Sequence, residues 1–147
     1  VEYITKHIAG LQQRYTQSGG VRPFGISTLI GGFDPQSDKP NLYHTEPSGI
    51  FSSWKANAIG RSSKTVHELL DKLWEEDMDE QKTVELAVKS LLEVVQTGNQ
   101  NIEVAVLRPN KEMEVLADDY LDEIVRRIED EKAKEAEEKH SRRRHDD

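Results

Sequence analysis

Apolar residues fall at Ile4, Ile8, Leu11 and Tyr15, the alternating three-and-four spacing that lines one face of a helix. The spacing predicts a helix over Val1 to Tyr15, ended by Ser18-Gly19-Gly20. No capping residue precedes it, so the chain is expected to open inside an element. From Val21 the pattern turns extended. Phe24 to Ile30 is rich in β-branched and apolar residues and reads as a buried strand closed by Gly31-Gly32. Asp34 to Pro40 has the residues of a hairpin loop, and Leu42 to Thr45 returns as the next strand. Glu46-Pro47-Ser48-Gly49 supplies a second turn, because Pro fixes φ and Gly tolerates the permissive position. Ile50 to Ile59 then runs extended toward Gly60, which completes a three-strand meander.

Beyond Gly60 the period becomes helical. Thr65 and Glu68 match a capping box ahead of Val66, Leu69, Leu70 and Leu73, and Glu75 to Glu80 reads as a solvated link. Val84, Ala87, Val88, Leu91, Leu92 and Val95 form an unbroken helical series that stops at Gly98. Ile102 to Leu107 alternates as a strand and turns at Arg108-Pro109-Asn110 into Glu112 to Leu116. Asp118 or Asp119 should cap a last helix carrying Leu121, Ile124, Val125 and Ile128. After Ile128 the stripe ends: residues 129 to 147 hold eight acids, six Lys or Arg and only alanine as apolar content. The tail cannot pack, and its charge alternation predicts a solvated helical extension. The order of helix, three strands, two helices, two strands, helix and tail, without internal repeat, gives an α+β class with helices layered on sheet. The domain division read from it is 1 to 128, followed by a charged tail over 129 to 147.

Composition narrows the function. At 147 residues there is chain for one domain, and no apolar run approaches the roughly 20 residues of a membrane span. Membrane is therefore not an expected partner. A formal charge of −8 disfavours general nucleic-acid binding, which needs clustered cation. Zero cysteines exclude a disulfide framework, thiolate metal sites and a cysteine nucleophile together.

Candidate chemistry is sparse. Gly60-Arg61-Ser62-Ser63-Lys64-Thr65 approaches the end of a phosphate-binding loop, but the residue before Lys64 is Ser63 rather than Gly, and the upstream glycine is missing at its offset. His7, His44, His67, His140 and His145 show no metal-binding spacing with a third ligand nearby, so surface or packed histidines are expected. The basic cluster from His140 to His145 could serve as an address or touch an acidic partner, although charge runs at termini usually serve solubility. Ser27 has Gly25 before it but Leu29 where a nucleophile elbow needs its second glycine, and Ser48 belongs to a turn that selects such residues for geometry. An N-terminal threonine could use its own amine as base, yet the first residue is Val1. Trp54 and Trp74 read as core or interface anchors. The expectation is no catalytic residue, no cofactor-binding residue, no metal ligand and no cofactor.

Several blocks point to a family: Arg22-Pro23-Phe24-Gly25-Ile26-Ser27, Gly32-Phe33-Asp34, Glu46-Pro47-Ser48-Gly49, Trp54-Lys55-Ala56-Asn57-Ala58-Ile59-Gly60-Arg61 and Leu91-Leu92-Glu93-Val94-Val95-Gln96. In order and spacing they resemble the successive blocks of eukaryotic proteasome alpha subunits, across nearly all of Val1 to Ile128. Tyr15-Thr16-Gln17-Ser18 and the charged tail are most similar to members at the fourth position of the ring, of the fungal type. The resemblance implies the second half of a four-layer αββα sandwich of the N-terminal-nucleophile hydrolase kind. It also implies a non-catalytic ring component of the 20S core, with neighbouring alpha subunits, beta subunits and, indirectly, a regulatory particle or activator as partners, in cytoplasm and nucleus. The family's gate, its first strands and helices and its activator-pocket lysine would lie upstream of Val1. A beta-type threonine peptidase is the alternative, as is a truncated product that binds through exposed sheet edges.

Overall fold

The computed structural model describes residues 1–95 and 102–143, and it divides the chain into two compact units. The first comprises Val1–Lys72 with Leu107–Met113, and the second Leu73–Val106 with Glu114–Asp147. Mixed helix and antiparallel sheet place the chain in the α+β class that the pattern predicts.

In the first unit, α1 (Glu2–Gln17) precedes the meander β1 (Thr28–Phe33), β2 (Pro40–Thr45) and β3 (Phe51–Trp54), and α2 (Ser63–Leu73) follows. The sheet order is β1-β2-β3, all antiparallel, with Thr28 opposite Thr45 and Thr45 opposite Phe51. β1 starts four residues later than the expected run and takes in Gly31-Gly32 instead of stopping at them. It is also not buried, since Leu29 is 38% exposed. β3 is shorter than the expected strand, ending at Trp54. The turn at Glu46 to Gly49 closes with Gly49 N–H donating to Glu46 O at 2.9 Å, and Gly49 takes the positive φ of 88° that the turn requires.

α1 packs against β2 and β3, and its seat is built from small and polar residues. Thr5, Ala9 and Gln12 are its buried positions, whereas the apolar stripe lies about one residue round the helix, with Ile8 and Leu11 half-buried and Ile4 and Tyr15 exposed. The reason is closeness of approach. A Cβ on Gly49 would lie 2.6 Å from Gln13 Cβ and 2.9 Å from Ala9 O, and one on Gly32 would lie 3.1 Å from Val1 Cγ2. A helix this near its sheet accommodates Thr and Ala where Ile and Tyr would clash. Thr5 Oγ1 donates to Val1 O at 3.0 Å, and the Thr28 and Thr45 hydroxyls bond each other.

The expected capping box does not form. α2 starts at Ser63, two residues before Thr65, because Val66 N–H already donates to Ser62 O and Ser62 stands at φ 64°. The linking acidic segment is exposed at all but Met78, as predicted, and its end holds a cap of its own: the Asp79 carboxylate accepts from Lys82 N–H at 2.8 Å.

The second unit joins α3 (Glu80–Leu92), the hairpin β4 (Ala105–Val106) and β5 (Glu114–Val115), and α4 (Asp118–Arg143). Its core is one apolar cluster: Val84 and Val88 from α3, Ile102 and Val104, and Leu121, Ile124, Val125 and Ile128 from α4. Burying each aliphatic side chain contributes about 1.5–3 kcal/mol. α3 also buries Leu86 and Ser90, which the periodicity did not single out, while Ala87 and Leu91 are exposed. α3 ends at Leu92 with Glu93 as its C-cap, so the expected series stops short of Val95, and Gly98 itself lies outside the described residues. The hairpin pairs over two residues per strand and is extended by Leu116 N–H donating to Val104 O at 2.9 Å. Asp118 and Asp119 do not cap α4. They occupy its first turn, where their charge favourably meets the positive end of the helix dipole. α4 continues to Arg143, and beyond Ile128 every described side chain is exposed except Lys132, which pairs with Glu93 at 2.9 Å.

Candidate interface surfaces

The groups considered for chemistry are dispersed. Gly60 and Ser62 take positive φ on either side of Arg61, so the segment is a bent entry to α2 with Lys64 and Thr65 exposed in the first turn. His7 lies on α1, His44 on β2, His67 on α2 and His140 on α4, whereas His145 is outside the described residues. Among the described residues no three His, Asp or Glu come together to hold a metal. Ser27 precedes β1 and Ser48 belongs to the turn. Among the described residues no helix is long and apolar enough to cross a membrane.

Two apolar surfaces of the first unit stand out. Strand alternation and register place Thr28, Ile30, Gly32, Tyr43 and Thr45 on the α1 side of the sheet, and Leu29, Phe33, Leu42, His44 and Trp54 on the other. That second face is partly open: Leu29 and Trp54 are 38% and 39% exposed. His44 sits among these residues with its Nε2 buried and without a hydrogen-bond partner, a costly state for a polar atom. Trp54 donates from Nε1 to Ser52 Oγ at 2.7 Å and packs its ring 5.6 Å from that of His67. His67 Nε2 in turn lies 3.1 Å from Ala58 O, which fastens the segment after β3 to α2. Among the described residues no strand pairs with the outer edge of β1 or of β3.

The second surface is the outward stripe of α1. Tyr3 is 84% exposed and Ile4 46%. At the far end Tyr15 packs on Phe24 at 4.9 Å, beside a notch lined by Val21, Arg22 and Pro23. Sequence periodicity found this stripe but gave it no orientation. The signal that could have oriented it is Gly32 and Gly49, which mark where backbone approaches backbone. Apolar faces joined to open sheet edges are suited to packing against other protein surface.

A family model described as proteasome subunit matches residues 1–107. Proteasome subunit alpha type-4 of Saccharomyces cerevisiae is 56% identical over 135 residues, covering 90% of this chain and 53% of the relative. Proteasome subunit alpha type-7 of Cicer arietinum is 58% identical over 133 residues, with 90% and 53% covered. Proteasome subunit alpha type-7 of Dictyostelium discoideum is 58% identical over 132 residues, with 90% and 52% covered. The chain thus spans about half the length of the relatives it matches.

Proposed function

This chain belongs to the proteasome subunit family, and from that premise we propose that it works as part of a non-catalytic alpha-type ring subunit of the 20S core. The observation that carries the reading is identity of 56–58% to alpha-type subunits across 90% of the chain. In this reading the domain of residues 1 to 128 supplies one half of an αββα sandwich, and residues 129 to 147 form a charged tail outside it. The open sheet face and the α1 stripe are then surfaces for the rest of the subunit and its ring neighbours. Alpha subunits on either side, beta subunits beneath and, indirectly, a regulatory particle are the partners, in cytoplasm and nucleus. The chain's contribution to protein degradation is architectural: it builds the ring through which substrates enter. A plain β-turn at Glu46 to Gly49, with Ser48 in an ordinary turn position, supports the non-catalytic assignment over a beta-type peptidase.

The test is a graft. A yeast alpha type-4 subunit whose matching region is replaced by this chain should enter intact 20S particles in cells lacking the native subunit, as read by native mass spectrometry. Failure of the graft to enter particles, with the unmodified subunit entering normally, would refute the assignment.

A further inference from the structure

Ser141 is the one serine of α4 and lies in its last described turn, with the side chain exposed. Lys139 and Arg142 flank it, both exposed, and Arg143 follows in the sequence, so cation stands on each side of the hydroxyl in a chain of net charge −8. Around Ser141 no side chain is both apolar and larger than alanine, and from Glu129 to Arg142 every side chain but that of Lys132 is exposed, so little packing holds this part of α4 in helical form. The segment can therefore unwind at small cost into the extended form that a kinase cleft binds, and an acid-lined cleft would recognise its basic flanks.

We propose that Ser141 is a phosphorylation site for a serine kinase that selects basic residues around its target. In the step, Ser141 Oγ attacks the γ-phosphorus of ATP and a new Oγ–P bond forms. The bond between γ-phosphorus and the β–γ bridging oxygen breaks, ADP leaves, and the hydroxyl proton passes through the kinase base to solvent. The phosphate adds a charge of about −1.5 to −2. It does so one turn from Glu137 and Glu138, where like-charge repulsion disfavours the helix. Phosphorylation thus loosens α4 around Glu137 to Ser141 and changes what the tail presents.

The competing target is Ser62-Ser63 between Arg61 and Lys64, but there Ser63 N–H donates to Gly60 O and Val66 N–H to Ser62 O, which holds the segment folded. The test treats the full chain with the catalytic domain of a serine kinase selective for Lys or Arg on both sides of its target, with ATP, and maps the product by tandem mass spectrometry. The expected result is one phosphate at Ser141, absent in Ser141→Ala and formed several-fold more slowly in Arg142→Gln/Arg143→Gln. Faster amide exchange over residues 137 to 143 should accompany it. No incorporation, equal incorporation in Ser141→Ala, an undiminished rate in the double variant, or phosphate mainly at Ser62 or Ser63 would each overturn the proposal.

Discussion

At Gly49 the turn between β2 and β3 meets α1 so closely that two requirements fall on one residue: φ of 88°, and no side chain within reach of Ala9 O and Gln13. Gly49→Ala is expected to destabilise the first unit by at least about 2 kcal/mol, since strained φ and a backbone clash act together. A urea titration of dilute protein followed by tryptophan fluorescence measures it, and an unchanged midpoint would mean that the turn can move away from the helix. The Thr28 and Thr45 hydroxyls give a second case, with Thr45 fully buried. Thr45→Val should cost about 1–2 kcal/mol by leaving the Thr28 hydroxyl without its partner, while Thr28→Val/Thr45→Val should cost less than the sum of the single changes. Additive single and double effects in the same titration would show that the pair is not coupled. The turn at Glu46 to Gly49 was legible from residue chemistry alone. What it touches was not, because Ala9 and Gln13 are far from Gly49 in sequence and no local pattern joins them.

At the scale of elements, periodicity located the four helices of the described residues and read the buried face of only some. It succeeded for α4, where Leu121, Ile124, Val125 and Ile128 enter the core as spaced, because a helix packing at ordinary distance buries its large side chains. For α1 the close seat selects Thr5, Ala9 and Gln12 and turns Ile4 and Tyr15 outward, so hydrophobicity and burial part company. The capping box at Thr65 was similarly overridden, since a helix starting at Ser63 leaves Thr65 no free N-terminal position to fill. The two halves of α4 then predict opposite outcomes. Ile124, 1% exposed, should cost about 2–5 kcal/mol when changed to Ala. Removing residues 129 to 147 should shift the melting temperature by no more than a few degrees, because the described part of the tail is tied by the half-exposed Lys132 pair with Glu93, worth at most about 1 kcal/mol. A large drop in melting temperature on removing the tail would show that it packs.

Over the whole molecule, what the first unit leaves uncovered decides how the chain behaves by itself. Both outer edges of the β1-β2-β3 sheet carry backbone groups that no described strand pairs, and β1, with the sequence Thr-Leu-Ile-Gly-Gly-Phe, has no charge or proline to discourage a visiting strand. Beside these edges lie Leu29 and Trp54 on one face and Tyr3 and Ile4 on α1, all exposed, as well as the unpartnered His44 nitrogen. Isolated apolar residues on a surface are ordinary, but apolar faces joined to free sheet edges favour association. Relatives of about twice the length have further chain with which to cover such surfaces. Expressed alone, this chain should therefore self-associate, eluting as a concentration-dependent range of species with weak near-ultraviolet signals from its aromatic residues. Co-expression with the remaining half of an alpha-type relative should shift it to one compact species, as strand pairing covers the edges and the sheet face is packed. Size-exclusion chromatography with light scattering, with and without that half, makes the comparison. A monodisperse monomer from the chain alone, with sharp aromatic signals and cooperative melting, would mean that its own elements already cover these surfaces.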